Sequence, residues 1–191
     1  MNVAVFSGSF NPIHVGHLIL GSYVTEFTDI DEVWFLVTPL SPFKAGLDSL
    51  DEKERLKMVE LALTDYPKLK ASDFEFTLTK PSYTVNTLTL LKEKYPEHNF
   101  SLLIGADNWT VFDKWKDNQI ILDNFKIYVY PRLDFNISIP SKFRSCIEAL
   151  DTPIIEISST FIRESLQKGK NIKAFLPETV YAYIIEKGLY K

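Results

Sequence analysis

The chain has 191 residues, 46% hydrophobic and 14% aromatic, enough for one buried core, and its formal charge of -4 gives no general basic footprint for nucleic acid. Phosphate binding must then come from a local cluster, and the expected partner is a small molecule. Cys146 is the only cysteine, which excludes an internal disulfide and a cysteine-built zinc site. No apolar run approaches the roughly 18 residues of a membrane span, and no charged leader precedes the first strand, so a cytoplasmic protein without membrane contact is expected.

In chain order, "NVAVF" (2–6) and "EVWFLVT" (32–38) are short apolar runs of the kind buried on both faces of a sheet. Between them "GHLILGSYVTEF" predicts a helix with Leu20, Tyr23, Val24 and Phe27 inward. "SLDEKERLKMVELAL" has capping-box spacing from Ser49 to Glu52 and predicts a helix burying Leu56, Val59, Ala62 and Leu63. "KLKASDFEF" reads as a strand, "YTVNTLTLLKEKY" as a helix with Val85, Leu88 and Leu91 inward, and "NFSLLIG" as a fourth strand. Past residue 105 the pattern predicts a helix over 108–115, a strand "KIYVY", a helix over 142–150, a strand "PIIEI" and two closing helices. In the last of these, Pro177 suits the first helical position and Gly188 the stop. Strands alternating with helices predict an α/β, doubly wound, mostly parallel sheet with helices on both faces. Such a sheet binds ligands at the carboxyl ends of its strands, where the strand order reverses.

The stretch "FSGSFNPIHVGH" (6–17) sits at such an end. Gly8 follows the first strand and Gly16 opens the helix, so backbone N–H groups and the positive helix end can face an anion. The spacing matches neither a dinucleotide fingerprint nor a P-loop. His14 and His17 lie three apart and both rings can face one crevice from the first helical turn, each able to donate to a phosphate oxygen. The plainer reading makes one histidine a cap and the other packing. Zinc is disfavoured, because the third histidine, His98, lies in a polar "PEHN" loop.

Near the other end, "ISSTFIRESL" (157–166) follows "PIIEI". Ser158, Ser159 and Thr160 are capping residues, whereas Arg163 in the first turn opposes the helix dipole, a conflict that an anion at the helix end would remove. In the middle, Ser82 or Thr84 could cap the third helix. Asp107 and Trp115, after the fourth strand, could share the crevice with His17. Trp109, Phe112 and Trp115 at i, i+3 and i+6 equally suit one buried helix face.

"GSFNPIHVGH" resembles the signature of the nucleotidyltransferase superfamily, and "ISSTFIR" resembles its second phosphate-binding motif. Together with "TPLSPFK", "RLKMVELAL", "PSYTVNTL", "IGADNWTVFDKW" and "LPETVYAYIIEKGLY", these segments resemble the nicotinate-nucleotide adenylyltransferase family nearly end to end. The resemblance implies a Rossmann-like nucleotidyltransferase fold over residues 1–191 as one domain, the last ~35 residues forming helices that complete the ATP site. It implies transfer of AMP from ATP to nicotinate mononucleotide, with magnesium arriving on ATP, and leaves a homo-oligomer open. His14 and His17 are then the catalytic pair, and the ATP site comprises Gly8, Ser9, Phe10, His14, Gly16, His17, Gly105, Asp107, Ser158, Ser159, Thr160 and Arg163. Asn11, Lys44, Thr84 and Trp115 serve the acceptor, Trp115 by stacking on the pyridine ring and Thr84 near its carboxylate.

The chain departs from the family pattern at Phe43, where a histidine is common, and at Asn11, where an aspartate is common. Nicotinamide mononucleotide and phosphopantetheine are the rival acceptors, although a phosphopantetheine enzyme should lack "PSYTVNTL" and "DKW". A nucleotide-binding regulator without chemistry should have lost His17 or Arg163, and both are present.

Overall fold

The structure is a computed structural model that describes residues 1–39 and 50–191. Strand β1 (Asn2–Gly8) leads into helix α1 (Val15–Phe27) and strand β2 (Glu32–Val37). Helix α2 (Glu52–Leu63), strand β3 (Leu69–Ser72), helix α3 (Thr84–Lys94) and strand β4 (Asn99–Gly105) continue the alternation. Two short helices, α4 (Ala106–Trp109) and α5 (Asn118–Asn124), precede β5 (Lys126–Tyr130) and β6 (Ile147–Ala149). Helices α6 (Ser159–Gln167) and α7 (Glu178–Lys187) follow.

The six strands form one sheet in the order β3-β2-β1-β4-β5-β6, every pairing parallel. This is the predicted doubly wound sheet. Its order reverses between β1 and β4, and the crevice above that junction is where the site forms. Period-two alternation gives the sheet two apolar faces. Ala4, Phe6, Phe35 and Val37 point into a layer with residues of α1, α2, α6 and α7. Val3, Val5, Leu102, Ile104 and Ile127 point into a layer with α3 and α5. Among the described residues no helix is long and apolar enough to cross a membrane.

Several local expectations change. Ser49 lies outside the described residues, and the cap of α2 is Asp51, whose carboxylate accepts from Lys53 N. The buried stripe of α2 runs through Arg55, Met58, Val59, Ala62 and Leu63, with Leu56 only partly covered. Phe27 is 72% exposed, because it is the final residue of α1 and stacks on Tyr23 instead of entering the core. Strand β3 stops at Ser72, and a 3-10 turn over Phe74–Thr77 turns Glu75 inward.

The larger corrections come late in the chain. Residues 142–150 are not a helix: after a 3-10 turn (Ser141–Phe143) they form edge strand β6, whose Ile147 is buried beside Ile127. "PIIEI" is not a strand, since the last bond of the ladder is Leu150 N to the Val129 carbonyl and Ile154 is left exposed. Pro177 stands at the N-cap of α7 rather than inside it, while Gly188 ends the helix in the left-handed conformation expected of a glycine stop.

Candidate active site

The C-terminal ends of β1 and β4 open onto a crevice of about 370 Å³, lined among others by Ser7, Gly8, His17, Thr84, Gly105 and Trp115. A second hollow lies on the other side of the His17 ring, between α1 and the extended segment 152–157, lined by His14, Gly16, Tyr23, Arg132 and Ile155. His17, Tyr130 and Arg132 belong to both.

Helix α1 begins at Val15, so His14 is its N-cap and His17 lies in its first turn. The imidazoles stack with centroids 3.7 Å apart. His17 Nδ1 accepts from His14 N at 3.2 Å, which puts the ring proton on Nε2. Burial, then the neighbouring His14 and then Arg132 hold His17 well below the ordinary histidine value. Burial, followed by Arg132, pushes His14 down to about 4. Near neutral pH both rings are therefore uncharged, and His17 is a fixed neutral donor.

Gly16 lets the His14 ring sit close: a Cβ there would meet His14 Nδ1 at 3.1 Å and Ile155 at 3.4 Å. At Gly105 a Cβ would displace the Asp107 carboxylate and crowd the Tyr130 ring. Phe10 is 2% exposed, has a φ of 44° and stands edge-on to His17 at 5.1 Å, as the wall behind that ring.

Distant segments clamp the turn that carries these groups. Ser159 Oγ donates to the Pro12 carbonyl at 2.8 Å, and Arg163 Nη1 donates to the Asn11 carbonyl at 2.8 Å. Tyr190 Oη donates to Asn11 Oδ1 at 2.5 Å. Ser158 caps α6 by accepting from Phe161 N, and Thr160 Oγ1 accepts from Arg163 Nη2 at 3.4 Å. From below, the fully buried Arg55 donates to the carbonyls of Ser9, Thr38 and Leu50.

The far wall of the crevice combines residues of α3 and of the segment after β4. Tyr83, not Ser82 or Thr84, stands at the N-cap of α3, and its side chain makes no cap bond. The 106–115 segment is not one helix: α4 ends at Trp109, a 3-10 turn covers Phe112–Lys114, and Trp115 is extended. Phe112 is therefore core, while Trp115, against it at 5.3 Å, reaches the crevice. Asp107 lies 3.7 Å from Arg132 Nε. Lys44 and Phe43 lie outside the described residues.

Sequence reasoning thus located His17, Gly8, Ser9, Gly105, Thr84, Trp115 and Ser159 around one crevice, His14 and Gly16 around the adjoining hollow, and Asn11 and Arg163 in or against the turn beneath. It missed Arg132, Arg55 and Tyr190. Arg132 stands two residues after "KIYVY", and a cation just beyond a strand's carboxyl end is the signal that could have found it.

Residues 5–165 match the Cytidylyltransferase-like family. A protein of Flavobacterium johnsoniae named "Probable nicotinate-nucleotide adenylyltransferase" is 50% identical over 192 residues, covering 100% of both chains. A Bacteroides fragilis protein of the same name is 51% identical, covering 96% of this chain and 90% of its own. In fold, the chain is similar to the Plasmodium falciparum nicotinic acid mononucleotide adenylyltransferase complexed with NaAD, with a TM-score of 0.80, 21% identity, and coverage of 99% of this chain and 97% of that one. The signature motifs, the switch-point crevice they build and this full-length similarity lead to one conclusion: the chain belongs to the nicotinate-nucleotide adenylyltransferase family.

Proposed function

We propose that the chain transfers AMP from ATP to nicotinate mononucleotide, giving nicotinate adenine dinucleotide and pyrophosphate. The observation that carries this reading is the neutral His17, its Nε2 proton free to donate while its Nδ1 is held by His14 N, at the junction of the two hollows. A phosphate oxygen of the acceptor attacks the α-phosphorus in line, the bond to the bridging oxygen breaks, and pyrophosphate leaves with the electron pair. No side chain becomes covalently attached. The protein's work is to align the two phosphates and to offer donors where negative charge develops.

In this reading His14 and His17 face the α-phosphate, His17 donating through Nε2. Gly8, Ser9, Phe10 and Gly16 shape the turn under ATP, and Gly105 and Asp107 lie against a nucleotide ribose. Ser158, Ser159, Thr160 and Arg163 serve the outer phosphates. On the acceptor side, Trp115 stacks on the pyridine ring, Thr84 meets its carboxylate, Lys44 faces its phosphate and Asn11 shapes the loop. Residues 1–191 act as one domain, its last ~35 residues completing the ATP site; the bonds of Ser159, Arg163 and Tyr190 to the 11–12 turn support this.

Magnesium enters on ATP, with phosphate oxygens and water as its ligands. Among the described residues no three His, Cys, Asp or Glu side chains form a cluster that could hold a metal ion. When bound, magnesium neutralises triphosphate charge. The enzyme is expected to work in the cytoplasm.

The test offers ATP and magnesium with nicotinate mononucleotide, nicotinamide mononucleotide or phosphopantetheine and follows pyrophosphate release. Strong release with nicotinate mononucleotide alone supports the reading to the acceptor. Release with another acceptor overturns the roles given to Thr84 and Trp115, and no release with any overturns adenylyl transfer.

A further inference from the structure

Beneath the acceptor side lies a charge that the chemistry above does not use. Glu75, on the 3-10 turn after β3, is 4% exposed. Its partners are three hydroxyls from separate parts of the chain. Ser82 Oγ donates to Oε2 at 3.1 Å, Thr87 Oγ1 donates to Oε1 at 3.1 Å, and Ser7 Oγ donates to Oε1 at 3.4 Å. Among the described residues no cation forms a salt bridge with it, and burial raises its pKa while the three hydroxyl bonds lower it.

A carboxylate is costly to bury, and a site that only needed filling would be served by an apolar side chain. What Glu75 supplies is two oxygens that accept from several directions at once. Ser7 belongs to the end of β1 and lines the crevice. Ser82 and Thr87 flank Thr84, which opens α3 and also lines the crevice. Ser82 precedes the N-cap of α3, Tyr83, whose own side chain makes no cap bond, and the Ser82 hydroxyl donates to Glu75. The carboxylate thus ties the start of α3 to the strand end that carries the phosphate turn.

We infer that Glu75 is a positioning residue for the acceptor: through Ser7, Ser82 and Thr87 it sets where Thr84 and the first turn of α3 meet the pyridine end of the substrate. It touches no substrate itself. The inference rests on reading the crevice as an adenylyl-transfer site, and it assigns Glu75 to one substrate only, since the contacts that hold the ATP-side turn come from Arg55, Ser159, Arg163 and Tyr190.

The test is steady-state kinetics of pyrophosphate release with nicotinate mononucleotide and ATP varied in turn, for the natural chain, Glu75→Ala, Glu75→Gln and Ser82→Ala, with the melting temperature of each. Glu75→Ala is expected to raise the KM for nicotinate mononucleotide tenfold or more and to leave the KM for ATP within twofold. Glu75→Gln keeps the shape and one acceptor oxygen and is expected to restore most of the loss. Ser82→Ala is expected to raise the acceptor KM several-fold, again without moving that for ATP. A fall in kcat or melting temperature with both KM values unchanged, or equal rises in both, overturns the inference. If Glu75→Ala does not fold, Ser82→Ala and Glu75→Gln decide by the same split. If the natural chain releases pyrophosphate only with another acceptor, the choice of nicotinate mononucleotide fails while adenylyl transfer stands, and the same KM split is read on that acceptor; no release with any acceptor overturns the reading and the inference together.

Discussion

The two walls of the crevice are held by different means. On the wall formed by the turn after β1, residues 9–12 are gripped largely through their carbonyls, by Arg55 at Ser9, Arg163 at Asn11 and Ser159 at Pro12. On the wall formed by the start of α3 the grip is through side chains, with hydroxyls from β1 and the start of α3 converging on one buried carboxylate. A carbonyl grip is indifferent to the side chain of the residue it holds. A hydroxyl grip uses up side chains and makes the wall depend on residue identity at several positions.

The largest blow to this contrast is at Arg55. Replacing it by Met leaves three carbonyls without their donor, and a loss of about 4 kcal/mol of stability is expected from unsatisfied buried acceptors. Urea denaturation measures it; a loss below about 1 kcal/mol would mean that the carbonyl grip matters little.

Acid tests the same wall through His14. Its folded pKa near 4 lies below the unfolded value of 6.5, so above pH 6.5 both states are neutral there and the group has no effect. As pH falls from 6.5 to 4, the unfolded chain takes a proton that the folded one refuses, and stability drops by about 3 kcal/mol before levelling off. Denaturation curves at pH 7.5 and 4.5 should show a drop in the natural chain that His14→Asn reduces and does not abolish, because His17 is also held low by burial.

His17→Ala removes the donor and is expected to cut turnover by about a hundredfold, roughly 2.7 kcal/mol of barrier, in a folded protein. Near-normal turnover would return His17 to packing. The smallest effect is expected at Trp115→Ala, which should weaken acceptor binding by about tenfold through lost stacking and leave ATP binding unchanged. Calorimetric titration with each substrate separates the two.

The walls also differ in how plainly the sequence announces them. "GSFNPIHVGH" is contiguous, its spacing set by a strand end, a turn and a helix start, so His14, His17 and Gly16 were legible together. Arg55 sits in "DEKERLKMVE", where one buried cation is indistinguishable from its solvated neighbours until its three carbonyls are brought near by folding. The fold follows a similar gradient. Up to Gly105, strands buried on both faces alternate with helices of 11 to 13 residues, and the periodicity is strong. Beyond it, α5 has seven residues with Ile121 buried, and edge strand β6 has three residues with Ile147 buried, too few to show a period. "PIIEI" alternates like a strand but passes the end of the ladder, and only pairing tells the two apart.

The clamp on residues 11 and 12 has a consequence for the order in which the protein is made. The turn is synthesised well before Ser159, Arg163 and Tyr190, which hold it and follow about 150 to 180 residues later. A nascent chain can lay down β1 to β5 and still lack a fastened turn. Fastening of the turn at residues 11 and 12 thus waits for three groups that are made long after the turn itself, so its final geometry records folding of the distant segments.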